Sequence, residues 1–241
     1  MTHIIPAVVP NDIEDLRQHC ALIVPFVSDI QLDVCDGHFV PSKSWPYTRG
    51  GEESFARIFG ELDGFPYWEE LDYEIDLMVE NPEQVIDSWV KAGAKRIVIH
   101  IESTKFLRNL LADLRKKYEP MRENLLGIEL GLAINIDTPN TEIYPYLSRV
   151  DDEGLMPVDF VQFMGIRKIG FQGEPFAEEV YGKIRELRAH NPDIIISVDG
   201  GVNLENAPIL LEAGANRLIV GSAVFGSDDI KSTIDRFNKL K

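Results

Sequence analysis

Three aspartates stand late in apolar runs of this chain: Asp33 in 29–34, Asp76 in 73–79, and Asp199 directly after 194–198. An ionised carboxylate inside an apolar strand is costly to bury unless it is paired, protonated or bound to a cation. Carboxylates so placed are candidates for acid/base chemistry or for holding a metal. Alternate residues of a strand face one side, so Gln31 and Asp33 point the same way. Other polar, sulfur-bearing or titratable groups at the ends of such runs are Asp36, Met78, His100, Glu102, Asn135 and Met164. A second kind of chemistry comes from glycine. The β-branched runs 194–198 and 218–220 end in Asp199-Gly200-Gly201 and Gly221-Ser222-Ala223. Glycine past a strand end lets backbone N–H groups approach a ligand where a side chain would block it. A helix starting there adds free N–H groups and a positive dipole end, which favour an anion. Two such loops on adjacent strands would make a phosphate cup.

Positioning these groups requires strands that end at one common face. The expected strands are 3–9, 29–34, 73–79, 96–101, 127–136, 158–164, 194–198 and 218–220, with helical patterns between them. Asn11 is read as a helix cap, with Glu14 at capping-box spacing. The other helical stretches are 50–59, 81–92 opened by Asn81-Pro82, 104–117, a short one to Leu147, 176–190, 204–213 closed by Gly214, and 228–240. The strands are mostly continuous apolar runs, as expected where both faces are covered. Eight strand–helix alternations without a divided composition predict one (β/α)8 TIM-barrel domain over residues 1–241. A doubly wound open sheet is the alternative, but no GxGxxG follows the first strand.

Composition narrows the partners. With 44% apolar residues the 241-residue chain can bury a large core. A net charge of −16 argues against nucleic acid and anionic membranes, but leaves room for an anionic metabolite in a local cup of N–H groups. Cys20 and Cys35 form no CxxC and no metal-ligand spacing. The opening residues lack a basic segment followed by a long apolar one, and no apolar run reaches membrane-spanning length. A cytoplasmic protein is expected. Residues 151–157 read as an acidic loop; Arg167 and Lys168 are candidates to close over a phosphate, with a solvated pair as the plain alternative. Phe65, Tyr67, Trp68 and Tyr73 read as an oligomer patch or a flap over the barrel floor.

The stretch Leu32-Asp33-Val34-Cys35-Asp36-Gly37-His38-Phe39-Val40-Pro41 resembles the DVMDGHFVP pattern of ribulose-phosphate 3-epimerases. The likeness continues in Asp76-Leu77-Met78-Val79 with Asn81-Pro82, in Ala92-Gly93-Ala94, and in His100-Ile101-Glu102. It extends through 131–135 with Thr138-Pro139, Gly170-Phe171-Gln172-Gly173, Val198-Asp199-Gly200-Gly201-Val202 and 220–225, in order over nearly the whole chain. The resemblance implies metal-assisted epimerisation of a ketopentose 5-phosphate at C3, in a homo-oligomer. It implies Asp33 and Asp199 as the acid/base pair on opposite faces of the carbon. It also implies substrate and phosphate contacts from Gly170, Phe171, Gln172, Gly173, Gly200, Gly201, Gly221 and Ser222, with Met78 and Met164 capping the site.

Departures from that pattern are informative. The family holds its metal with two histidines and two aspartates; here the corresponding set is Gln31, Asp33, Asp76 and Asp199, with Gln31 and Asp76 in the histidine positions. Cys35 replaces a methionine, Ala7 stands where a substrate-contacting serine is usual, and Glu174 stands where a glutamine is expected. An all-oxygen set suits a hard divalent cation such as Mg²⁺ or Mn²⁺ better than Zn²⁺ or Fe²⁺. Three readings follow: epimerisation with a hard cation, a metal-independent enolisation or phosphate-ligand binding, and an inactive relative.

Overall fold

In the computed structural model, residues 3–118, 127–147 and 158–240 are described; the acidic loop 151–157 lies outside them. Eight parallel strands close into a barrel in chain order: β1 His3–Val8, β2 Asp29–Cys35, β3 Asp72–Met78, β4 Arg96–His100, β5 Glu129–Ile134, β6 Phe160–Met164, β7 Ile195–Asp199 and β8 Arg217–Val220. This is the (β/α)8 TIM barrel that the alternation predicts. Helices α1 Ile13–Ile23, α2 Gly51–Phe59, α3 Ile86–Lys91, α4 Leu107–Tyr118, α5 Glu179–His190, α6 Ala207–Ala213, α7 Ser222–Phe225 and α8 Ile230–Asn238 lie between and after the strands.

Strand parity sorts the side chains into two environments. On β2 and β3, Ile30, Leu32, Val34, Ile75 and Leu77 face outward. They join Leu16, Trp89, Leu110, Ile184, Leu210 and Ile234 of the helices in one core between sheet and helices. Each such side chain removed from water contributes about 1.5–3 kcal/mol, which is what closes the barrel. The alternate residues face the lumen. In register, Gln31 lies beside Glu74 and Asp33 beside Asp76. Gly131 is where Phe160 enters the lumen: a Cβ on Gly131 would stand 2.2 Å from the Phe160 ring.

Several element boundaries differ from the sequence expectation. Asp12 caps α1, its carboxylate accepting from the N–H groups of Glu14 and Asp15, while Asp15 reaches back to the N–H of Asn11. Asn81 takes a left-handed conformation and Pro82 opens a 3₁₀ turn, so α3 begins only at Ile86. The stretch expected as a helix to Leu147 is two 3₁₀ turns, Asn140–Glu142 and Tyr144–Tyr146; Pro145 has no N–H to continue a helical ladder. Phe176 bridges to Ile166 instead of starting a helix, which delays α5 to Glu179. Asn203 forms a turn by accepting from the N–H groups of Glu205 and Asn206, delaying α6. Among the described residues, the short α7 directly after β8 is an α-helix that the expected pattern does not contain. The aromatic group divides: Phe65 stacks on Tyr73 at 4.4 Å and both are buried, whereas Tyr67 and Trp68 are exposed.

Candidate active site

At the C-terminal end of the strands lies a cavity open to solvent. Its walls are Asp33, Met78, Met164 and Asp199 from the strand ends, the loop residues Gly170, Phe171, Gln172 and Gly173, and the two cups Gly200-Gly201 and Gly221-Ser222. Ala7, Ile166, Val202 and Ile219 complete it. The β6 loop thus comes down against the ends of β7, β8 and β1; the Gln172 amide lies 3.4 Å from the Ala7 carbonyl oxygen. Gly200 and Gly201 have φ of +101° and +69°, a backbone path that only glycine follows without strain. Gly221 precedes α7, whose first residue is Ser222, so the start of a helix, with its free N–H groups, lines the cavity. A short helix in this place suits a phosphate.

The carboxylates form a buried group under this cavity. One oxygen each of Asp33, Asp76 and Asp199 lies within 4.8 Å of the others. Two amides are set among them. Gln31 Nε2 donates to Asp33 Oδ1 and to Asp199 Oδ2, both at 2.8 Å. Gln162 Nε2 donates to Asp76 Oδ2 at 3.0 Å and to Asp199 Oδ2 at 3.4 Å. His100 Nε2 meets Asp76 Oδ1 at 3.1 Å. All of these side chains are buried. Gln31 and Asp76, the two residues of the expected metal set that do not line the cavity, sit within this layer.

Crowding sets the proton affinities. Burial, then the charges of Asp199 and Asp76, push the Asp33 carboxyl well above the usual carboxylate range, against the hydrogen bond from Gln31. Burial and the Asp76 charge push Asp199 up to about 7, although the Gln31 hydrogen bond and His100 oppose the rise. Burial would lower the basicity of His100, but the charge and hydrogen bond of Asp76 outweigh it and raise it. The three aspartates are therefore a group that needs neutralising, by protons or by a cation. The amide oxygens of Gln31 and Gln162 are buried without a hydrogen-bond partner among the described residues. Three carboxylates, with two neighbouring amides whose oxygens are uncommitted, are a donor set that fits a divalent cation.

Other candidate residues have structural partners. Asp36 accepts from the N–H groups of His38, Phe39 and Glu80, which folds the loop after β2. Glu102 accepts from the Asn135 N–H and the Thr138 hydroxyl, tying the end of β4 to the loop after β5. Arg167 is paired with Asp137 and Glu179 and does not line the cavity, nor does Lys168. Gln162 is absent from the sequence candidates, yet it touches two of the three aspartates. Its signal is a polar residue in Phe160-Val161-Gln162-Phe163-Met164, at the same parity as Met164.

Comparisons with known proteins bear on the family and the fold. The family model described as the ribulose-phosphate 3 epimerase family matches residues 3–225. A ribulose-phosphate 3-epimerase of Bacillus subtilis is 30% identical over 240 residues, covering 98% of this chain and 94% of the relative. One of Aquifex aeolicus is 29% identical over 215 residues, covering 88% and 83%. Among solved structures, KGPDC from Streptococcus mutans superposes with a TM-score of 0.66 at 12% identity, over 100% of this chain and 97% of that one. The 3-hexulose-6-phosphate synthase from Salmonella typhimurium gives 0.62 at 14% identity, over 100% and 98%. These structural likenesses concern the fold. The match of the family model, with a relative at 30% identity over almost the full length, shows that the chain belongs to the ribulose-phosphate 3-epimerase family.

Proposed function

We propose that this protein epimerises a ketose phosphate at C3, with ribulose 5-phosphate as the first substrate to test. One observation carries the reading: Asp33 and Asp199, from the separate strands β2 and β7, line the same cavity as the glycine cups 200–201 and 221–222. The cups hold the phosphate through backbone N–H groups, and that anchor brings the carbon next to the carbonyl between the two carboxylates. One aspartate removes the C3 hydrogen; the other, already protonated, delivers a hydrogen to the opposite face. Such a pair needs one proton for two carboxylates. Burial and the charges of Asp199 and Asp76 favour the protonated form of Asp33, while Asp199, raised to about 7, is partly ionised near neutral pH. In the reverse direction the roles exchange. Met78 and Met164 supply apolar walls that limit water around the reacting carbon.

Asp33, Asp76 and Asp199, with the Gln31 amide oxygen, are the residues that would hold a divalent cation. With only oxygen donors the site favours Mg²⁺ or Mn²⁺ over Zn²⁺. When bound, the cation would supply Lewis-acid stabilisation of the negative charge that develops on the substrate oxygens. Nuclear magnetic resonance of the protein with ribulose 5-phosphate in D₂O tests the reading, in EDTA and then in Mg²⁺ or Mn²⁺. Deuterium at C3 together with xylulose 5-phosphate is the expected result. Substrate that remains protiated at C3 under every condition overturns it.

A further inference from the structure

We infer that Gln162 of β6 is an oxygen ligand of the cation site, its side-chain amide turning end for end when the cation binds. The inference rests on the cation part of the proposed function and adds a residue to it. Gln162 is fully buried within a strand whose other residues are apolar, and its side chain points into the lumen. There it spans two of the three aspartates, giving Nε2 to Asp76 and to Asp199. The other end of the same amide, Oε1, is buried without a hydrogen-bond partner among the described residues. Gln31 repeats the arrangement from the opposite side of the group, with Nε2 on Asp33 and Asp199 and its oxygen equally unpartnered.

An amide carries donors at one end and an acceptor at the other, and the two ends have nearly the same shape. With N–H inward, it stabilises carboxylates that have no cation. With the oxygen inward, it offers a neutral hard donor to an ion lying among those carboxylates. Turning normally sacrifices the bonds made by the outward end. Here the outward end is an unpartnered oxygen, so the reversal breaks only the contacts that the cation replaces. An amide with a purely structural role would have its second end satisfied too. Two glutamines, each bonded on the carboxylate side alone, make a group that can be held in either state by the same five side chains.

Binding of Mn²⁺ alone to the full-length protein, followed by calorimetry and by the electron paramagnetic resonance of free Mn²⁺, tests this. Gln162→Met removes both ends of the amide at similar volume and is expected to weaken Mn²⁺ by about tenfold or more. Gln162→Glu presents only oxygen and is expected to bind Mn²⁺ at least as tightly as the natural protein. In EDTA the same variant melts lower, because a further carboxylate then faces Asp76 and Asp199. Tighter metal with a weaker cation-free state is a pattern that a structural amide does not give, since its loss lowers both. Gln162→Glu carries the test should Gln162→Met fail to fold. Mn²⁺ affinity unchanged in Gln162→Met, or lost in Gln162→Glu, overturns the inference. A natural protein that binds no Mn²⁺ overturns it together with the cation part of the proposed function, while deuterium exchange in EDTA still reports on the epimerase itself.

Discussion

The floor and the mouth of this barrel are built from the same strands with the same kind of residue, and they treat negative charge in opposite ways. At the floor, Glu74 of β3 accepts from Arg96 Nε at 2.9 Å and from Arg217, and Arg217 also packs over the Phe160 ring. Asp29 of β2 is bonded by Arg96, by Ser28 and by His3. Burial alone would raise Asp29, but the His3 hydrogen bond and the Arg96 charge prevail and hold it well below the usual carboxylate range. A few residues further along the same strands, Asp33 and Asp76 meet amides, one imidazole, Asp199 and each other among the described residues, and Asp33 is raised. The floor neutralises its acids with arginines of the chain. The mouth leaves that task to protons, to a cation or to substrate chemistry. Charge paired with arginines serves structure, whereas carboxylates crowded at strand ends without an arginine are candidates for reaction.

The largest expected effect breaks the mouth. Asp199→Asn should reduce C3 hydrogen exchange by about 10²–10⁴-fold, the range of a lost general acid or base. The same variant should melt higher in EDTA, because a carboxylate crowded by two others has become neutral. Exchange at the natural rate would remove Asp199 from the reaction. At the floor the signs reverse: Arg217→Met leaves Glu74 with one guanidinium and should cost about 3–5 kcal/mol in denaturant unfolding. Stability unchanged in that variant would mean that the floor pairs do not hold the barrel together.

Acid sharpens the contrast. Because the folded state depresses Asp29, its contribution is present above the ordinary carboxylate value and is lost as pH falls through that value toward the folded one. The natural protein should therefore lose melting temperature below about pH 4, and Asp29→Asn should show a flatter acid limb from a lower plateau. Equal slopes in the two proteins would remove Asp29 from acid denaturation. The smallest effect belongs to the phosphate cup. Ser222→Asp places a negative charge at the start of α7 and should raise KM roughly tenfold, with kcat and melting temperature little changed. A KM equal to that of the natural protein would separate the cup from substrate binding.

Much of this was legible in the sequence, for identifiable reasons. Parallel strands covered on both faces write themselves as continuous apolar runs, so the eight strands could be placed to within one or two residues at most ends. Asp33, Asp76 and Asp199 were conspicuous because charge in such a run requires an explanation. What stayed hidden depends on contacts across the barrel. Gln162 is neutral, and only the closed sheet brings it against residues 86 and 37 positions away. Arg167 resembles a phosphate ligand until Asp137 and Glu179, far from it in the chain, are seen to take it. The single-residue shift of the α1 cap from Asn11 to Asp12 reflects two adjacent residues with equal capping chemistry.

The entry of Phe160 opposite Gly131 also determines the route that hydrogen takes. Phe160 packs with Val98, Ala133 and Met164 inside the barrel, and Arg217 lies against its ring on the floor side. These side chains fill the lumen on the floor side, while Asp33 and Asp199 line the pocket at the strand ends. In the proposed reaction a seated substrate would occupy that pocket. The isotope delivered to the product would therefore be loaded onto the acid before the sugar arrives, and the hydrogen taken from the sugar would be discharged after the product has gone.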